Sequence, residues 1–168
     1  MGPASRGALP SPRAWFGLAL LVAVLDLFTK LAVLAVLAPG ERQVVTGFFN
    51  LVLVFNKGAA FSFLASAPGW QRPFFVAIAV VAAGVISYLI FKNRGKKLFC
   101  AGLALILGGA LGNLYDRLAY GHVVDFLDFH AAGWHWPAFN VADSAITVGA
   151  AILIVESFIH KKSDETSV

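Results

Sequence analysis

Ionisable side chains are concentrated in one short part of this apolar chain, residues 112–144. Four of the nine acidic residues and three of the four histidines fall there. They are Asp116, Asp125, Asp128, Asp143, His122, His130 and His135. An apolar segment lies on each side of this stretch. Polar groups collected between two membrane-length segments indicate a functional site at the membrane surface.

Asp125 and Asp143 are the candidates for a pair of carboxylates that activates water. Asn140 can cap a helix that begins after it, and a carboxylate in the first turn of a helix has a lowered pKa. Asp125 lies in the apolar stretch 123–129, where apolar surroundings raise a carboxyl pKa. Two such groups can share one proton, so that one activates water while the other protonates a carbonyl oxygen. Asp143 could instead only accept hydrogen bonds from backbone N–H groups at the start of the helix and interact with the helix dipole.

Two alternatives stay open at this level. Asp128 competes with Asp125, because spacing does not choose between them. His122, His130 and His135 with these acids are also ligand types suited to zinc, although no pair has a diagnostic spacing.

Composition predicts a membrane protein with a single domain over residues 1–168. The chain is 59% hydrophobic and 13% charged, whereas soluble domains are about 25% charged. Its length allows about four helical spans of roughly 20 residues. We predict them at 14–38, 73–91, 98–118 and 140–160. The first predicted span begins with an apolar run of the length found in signal-peptide cores. Its apolar pattern continues past Lys30, however, and no A-x-A cleavage site follows, so a retained transmembrane helix is favoured.

Basic residues predict the topology. They cluster before the first span, between the second and third, and after the fourth, so both termini are expected in the cytoplasm. Residues 1–13 would form a cytoplasmic tail. The net charge of +4 therefore reflects orientation rather than nucleic-acid binding. The outer loops with Asn56 and Asp125, and the start of the fourth helix, would then share one face of the membrane.

The first outer loop predicts a β-hairpin and a short interfacial helix within residues 40–70. The stretch 48–55 is rich in β-branched and aromatic residues and pairs with 43–46 as a hairpin at the membrane surface. Residues 61–67 have the pattern of the surface helix. On spacing alone, a plain turn is the favoured interpretation of Asn56 and the small residues after it.

The helices also carry polar and small residues with predictable roles. Asp26 and Lys30 are four apart on one helix face and predict an ion pair, either structural or facing a polar cavity. Gly108 and Gly112 form a G-x-x-x-G pair suited to close helix packing. Cys100 is predicted to be a packing residue.

Five motifs in this order resemble the bacterial lipoprotein signal peptidase family, also called signal peptidase II. They are Asp26 with Lys30; Asn56-x-Gly58-Ala59-Ala60-Phe61; Gly108-Gly109-Ala110-Leu111-Gly112-Asn113-x-x-Asp116-Arg117; Val123-x-Asp125-Phe126; and Phe139-Asn140-x-Ala142-Asp143-Ser144. One departure is Leu27, where the family usually has Gln.

The resemblance implies an all-α membrane protein of four transmembrane helices with a periplasmic β-cradle and a short interfacial helix. It implies an aspartic endopeptidase, without metal or cofactor, that cleaves diacylglyceryl-modified prolipoproteins just before the lipid-modified cysteine. The implied catalytic pair is Asp125 and Asp143. The implied substrate-binding or supporting residues are Asn56, Gly58, Asn113, Arg117, Asn140, Asp26, Lys30 and Asp116.

The resemblance also implies the setting of the enzyme. It would be a multi-pass protein of the bacterial inner membrane, with its active site on the periplasmic side. Its partners would be prolipoproteins, membrane lipid and globomycin-type inhibitors, and a monomer is expected. Two other classes compete: a proton or solute transporter using Asp26, Lys30, Asp143 and Glu156, and a non-catalytic scaffold built on the glycine face.

Chelators separate the two hydrolytic chemistries. An aspartic dyad needs no metal, so EDTA or phenanthroline is expected to leave prolipoprotein cleavage unchanged. A zinc-activated water would be lost as the metal is removed. Cleavage that falls with chelator and returns with added zinc would contradict the dyad.

Overall fold

Four long apolar helices form the body of the protein. The computed structural model describes residues 11–58 and 70–165, so most of the predicted tail and the whole of the predicted surface helix lie outside the described residues. The helices are α1 (Pro12–Val36), α2 (Gln71–Lys92), α3 (Lys97–Ala119) and α4 (Val141–Glu165). Each is long and apolar enough to cross a membrane, α4 over Val141–Ile159. The predicted fold class is confirmed.

Local sequence explains where the helices begin. The Ser11 side chain accepts a hydrogen bond from the Arg13 N–H at 3.2 Å, and Pro12 occupies the first turn of α1. Pro73 lies in the first turn of α2. Between these ends, an apolar run at membrane depth must satisfy its backbone groups internally, and an α-helix does so.

Helix α3 is the central element. In the apolar, membrane-length part of α3, 56% of the residues are buried, against 11% in α2 and 11% in α4. The reason is that α3 packs against all three other helices. Glycines make this possible. A Cβ at Gly108 would lie 2.5 Å from the Ala19 carbonyl of α1, and one at Gly102 would lie 2.9 Å from the Gly149 carbonyl of α4. The predicted close packing of this glycine face is confirmed, and Cys100 is fully buried on the same helix.

A four-stranded antiparallel sheet joins the segment after α1 to the segment after α3. Its strands are β1 (Arg42–Thr46), β2 (Phe49–Asn56), β3 (Val123–Ala131) and β4 (Trp134–His135), in the order β1-β2-β3-β4. The β1–β2 hairpin matches the prediction. Strands β3 and β4 were not predicted, since pairing across such a separation leaves no local signal. The result is that Val54 pairs with Asp125 and Asn56 with Val123.

An apolar cluster fixes this sheet on the helices. Val33 of α1 and Leu37, which follows the last residue of α1, pack against Leu53 of β2 and against Val124 and Phe126 of β3, all of them buried. The sheet is therefore held directly at the end of the helical bundle where α1 ends and α4 begins.

Replacing Gly109 with alanine tests the central position of α3. The new methyl group would meet the Ala142 carbonyl of α4 and lie 2.8 Å from Ile146 Cγ1. Overpacking of this kind costs about 1–3 kcal/mol. Thermal unfolding of the detergent-purified variant should therefore occur at a lower temperature than for the unchanged protein.

Gly84→Ala is the matched control. No described atom lies within 4 Å of a Cβ built at Gly84 on α2, and alanine is the better helix former. Its unfolding temperature should be unchanged or higher. Equal unfolding temperatures for Gly109→Ala and the unchanged protein would contradict the packing account.

Candidate active site

The ammonium group of Lys30 lies at the centre of a buried polar network. Its Nζ is 2.7 Å from Asp26 Oδ2, 2.8 Å from Asp116 Oδ2 and 3.0 Å from Asn113 Oδ1. The side chains of the three charged residues are 1% exposed. An ammonium has three N–H donors, so each has an acceptor. The predicted Asp26–Lys30 pair is confirmed, and α3 supplies its other partners.

The carboxylates of Asp26 and Asp116 also accept hydrogen bonds from backbone N–H groups next to the two candidate catalytic aspartates. Asp26 accepts the Ala142 N–H at 2.8 Å, in the first turn of α4. Asp116 accepts the Val124 N–H at 3.1 Å, one residue before Asp125. The charges on α1 and α3 therefore fix the backbone beside Asp143 and Asp125.

Lys30 also determines how the Asn113 amide points. Because an ammonium only donates, Asn113 turns its oxygen to Lys30 and leaves its NH₂ group free to donate. That group donates to Asp143 Oδ1 at 2.8 Å. The predicted supporting residue Asn113 thus links the buried charges to the first candidate carboxylate.

Asn140 orients the second carboxylate by the same logic. Its Oδ1 accepts the Asp143 N–H at 2.9 Å, which is the predicted helix cap. Its NH₂ group then donates to Asp125 Oδ1 at 2.7 Å and to Asn113 Oδ1 at 3.3 Å. Asn113 and Asn140 form a bridge in which each binds one aspartate and both contact each other.

Asp125 and Asp143 line one cavity of about 470 Å³. Asp125 is 2% exposed, whereas Asp143 is half-buried. Burial, and then the charge of Asp143, raise the pKa of Asp125 from its ordinary 3.8 to about 7, against the opposing effects of Asn56, Lys30 and Asn140. The paired acids therefore have unequal surroundings.

Asn56 and Arg117 also line this cavity, and Gly58 links them. Asn56 donates to Asp125 Oδ2 at 3.0 Å and accepts the Gly58 N–H at 2.9 Å. Arg117 donates to the Gly58 carbonyl at 3.2 Å. The structure thus brings every predicted site residue into one connected network, and Asn56 is more than a turn residue.

Asp128, the competing acid, lies in a separate cluster. Asn50 donates to its Oδ2 at 2.7 Å, and His135 Nδ1 is 2.7 Å from its Oδ1. Burial would raise the pKa of Asp128, but these two hydrogen bonds outweigh it and lower the pKa below its ordinary value. Asp128 is thereby assigned to holding strands β2, β3 and β4 together.

The histidines are distributed between this cluster and an aromatic contact. The rings of His130 and His135 stack with centroids 4.8 Å apart, and His122 packs on Phe55 with centroids 4.3 Å apart. Within residues 11–58 and 70–165, no three His, Cys, Asp or Glu side chains converge as metal ligands would.

Sequence reasoning missed part of the cavity lining. Trp136 was not among the predicted site residues, yet it lines the cavity together with Ile146, Thr147 and Val148 of α4. Ile146 and Thr147 lie three and four residues after Asp143, so helical spacing could have placed these two on the same side of α4 as Asp143.

Four membrane-length helices, with a sheet and two carboxylates at one end, define a multi-pass membrane protein with an enclosed polar site. The model of the family described as signal peptidase (SPase) II matches residues 18–159. A lipoprotein signal peptidase of Paraburkholderia phytofirmans is 61% identical over 92% of this chain and 90% of its own length. One of Ralstonia nicotianae is 61% identical over 84% of this chain and 82% of its own length.

A comparison with solved structures finds the same fold in a bacterial membrane enzyme. A structure described as a bacterial membrane enzyme, determined in meso at 2.3 Å, has a TM-score of 0.79 at 28% identity, covering 90% of this chain and 91% of that one. The chain belongs to the signal peptidase II family, which makes it a peptidase and a multi-pass bacterial membrane protein.

The two aspartates of strand β3 should respond to pH in opposite directions. The raised pKa of Asp125 means that its ionised form destabilises the folded state, so stability declines as pH rises from about 4 to about 7. Asp125→Asn should therefore unfold at a higher temperature than the unchanged protein at about pH 8. The difference should shrink towards about pH 4.

Asp128→Asn is the matched comparison with the opposite sign. A lowered pKa contributes stability above the unfolded-state pKa, and this is lost as pH falls through the folded-state pKa. This variant should unfold at a lower temperature near neutral pH. Thermal unfolding in detergent across this range measures both, and equal pH responses would contradict the two environments.

Proposed function

We propose that this protein is an aspartic endopeptidase that removes the signal peptide from diacylglyceryl-modified prolipoproteins. It cleaves the peptide bond immediately before the lipid-modified cysteine, with Asp125 and Asp143 as catalytic residues. The observation that carries the proposal is the placing of two carboxylates with unequal surroundings in one cavity, bridged by Asn113 and Asn140. Family membership and the names of the relatives support the class of substrate.

The unequal surroundings support a division of labour. Near neutral pH the pair holds one proton, chiefly on Asp125, whose pKa is raised to about 7. Ionised Asp143 takes a proton from water as the water oxygen attacks the scissile carbonyl carbon. Asp125 gives its proton to the carbonyl oxygen, which produces a neutral tetrahedral diol.

Collapse of the diol reverses these proton positions. One diol hydroxyl returns its proton to Asp125 as the carbonyl re-forms. The carbon–nitrogen bond breaks, and Asp143 gives its proton to the departing cysteine nitrogen. Both carboxyl groups are then restored, so one water is consumed for each peptide bond and the proton count is unchanged.

The position of the cavity supports entry of substrate from the bilayer. Its lining runs from Asn56 and Asp125 down the first two turns of α4 to Val148, which is 52% exposed on a lipid-facing helix. A substrate with a membrane-embedded signal peptide and two acyl chains can reach such a site sideways. The β1–β2 hairpin offers main-chain groups with which an extended segment could pair.

The proposal includes the expected setting. The site faces the periplasm, both termini lie in the cytoplasm, and the working form is a monomer in the inner membrane. Globomycin-type cyclic peptides are expected to occupy the cavity and block the dyad. The transporter alternative has less support, because Asp26 and Lys30 are held by each other and by fixed partners on α3 and α4.

Replacing either aspartate by asparagine should abolish cleavage. Asp125→Asn and Asp143→Asn each remove one member of the proton pair, so turnover should fall by roughly a thousandfold or more. Cleavage of a diacylglyceryl-modified precursor by purified protein in detergent, followed by gel shift, measures this. Asp128→Asn, the same substitution outside the cavity, should retain turnover.

The same assay tests substrate and inhibitor. An unlipidated precursor should be cleaved far more slowly than the lipidated one, and globomycin should suppress cleavage. Retained turnover in either catalytic variant would sink the dyad. Equal rates with both precursors would refute recognition of the lipid.

A further inference from the structure

Arg117 is the cation of the cavity wall whose position depends on weak contacts. Its guanidinium donates to the Asn113 carbonyl and to the Gly58 carbonyl, each at 3.2 Å. It lines the same cavity as Asp143 and Asp125, so its positive charge acts on both carboxylates. A long side chain held by two neutral carbonyls needs a further contact to keep its charge directed at the dyad.

Phe75 of α2 supplies that contact. The Arg117 Cζ atom lies 5.1 Å from the centroid of the Phe75 ring, within the range of a cation–π interaction. The ring is itself held edge-on by Phe74, with centroids 5.4 Å apart. Phe75 is half-buried, so its interaction with the guanidinium is partly shielded from solvent.

A second contact holds the start of α2 against α3, next to Arg117. Arg72 donates to the Leu118 carbonyl at 2.9 Å, one residue after Arg117 on α3. Two side chains of the first turns of α2 therefore touch consecutive residues of α3. The described residues that line the cavity come from β2, α3, β3, α4 and residues 136–139, so Phe75 acts on the site only through Arg117.

We infer that Phe75 is a positioning residue, whose ring holds the Arg117 guanidinium toward the paired carboxylates. The inference rests on the proposed function of Asp125 and Asp143. It gives α2, which is otherwise a lipid-facing helix, a part in catalysis. Without the ring, the guanidinium is free to turn away, and its positive charge no longer favours the ionised carboxylate.

The charges facing the dyad decide in which direction the loss of the Phe75 ring shifts the pKa of the paired carboxyl groups. Asp125 faces Asp143 from α4 and Lys30 from α1, while Arg117 and Asp116 lie on α3. Lys30 is held by its own partners, whereas Arg117, the cation among the described residues that line the cavity, can move when its contact is loosened. Moving it away raises the pH at which the dyad loses its shared proton.

The experiment compares Phe75→Leu, Phe75→Tyr and Phe75→Trp. Leucine removes the aromatic face and retains an apolar side chain, so kcat should fall roughly three- to tenfold with little change in KM. Its pH profile of cleavage should move to higher pH. Tyrosine and tryptophan retain an aromatic face and should restore both kcat and the profile. Phe28→Leu, on an α1 position that is 68% exposed, is the matched control and should behave as the unchanged protein.

A second measurement does not depend on turnover. Infrared titration of the carboxyl groups, with Asp125→Asn to assign the band, should show the dyad titrating at higher pH in Phe75→Leu than in the unchanged protein. The inference is overturned if Phe75→Leu leaves both the titration and the pH profile unchanged, or if tyrosine and tryptophan are as impaired as leucine. Retained cleavage in Asp125→Asn would count against the proposed function, while the titration would still decide the role of Phe75.

Discussion

Lys30 places a positive charge in the protein interior, where its side chain is 1% exposed and three oxygens accept its three N–H donors. A buried ammonium that lost one of these partners would leave an uncompensated charge, which is costly. The acceptors therefore hold fixed positions. Through them the network fixes the start of α4 at Ala142, the start of β3 at Val124, and the amide of Asn113. The geometry of the paired acids follows from this one cation.

Fixed surroundings also explain how two similar residues acquire different properties. Asp125 is buried on strand β3 and bound by two asparagine amides, whereas Asp143 is half-buried in the first turn of a helix. Asp128, three residues from Asp125 on the same strand, is bound by Asn50 and His135, so its pKa moves in the other direction. Contacts, rather than residue type, separate a candidate catalytic acid from a structural one.

The glycines of α3 allow this arrangement to exist at membrane depth. Gly112 faces Asp26, and Gly109 faces the first turn of α4, so side chains at these positions would push apart the very elements that carry the polar network. Close packing of helices in lipid depends on such small residues. The sheet adds the remaining constraint, because β3 can present Asp125 to Asp143 only while β2 holds it in register.

Much of this organisation is encoded locally and could be predicted. Apolar run length determines the four spans, the i to i+4 spacing determines the Asp26–Lys30 pair, and an asparagine before a helix determines the cap on α4. The motif order identified the family. These features could be predicted because each depends on neighbouring residues or on a pattern in one segment.

Other features were decided only by the tertiary structure. Residue spacing could not choose between Asp125 and Asp128, since strand β3 and its pairing with β2 depend on contacts between residues about seventy positions apart. The same holds for the third partner of Lys30, for the asparagine bridge, and for the ring of Phe75 over Arg117. Local sequence determines which segments become helices and which side chains can ionise. The environment of each charge is determined by distant segments, and that environment sets which acid holds the proton.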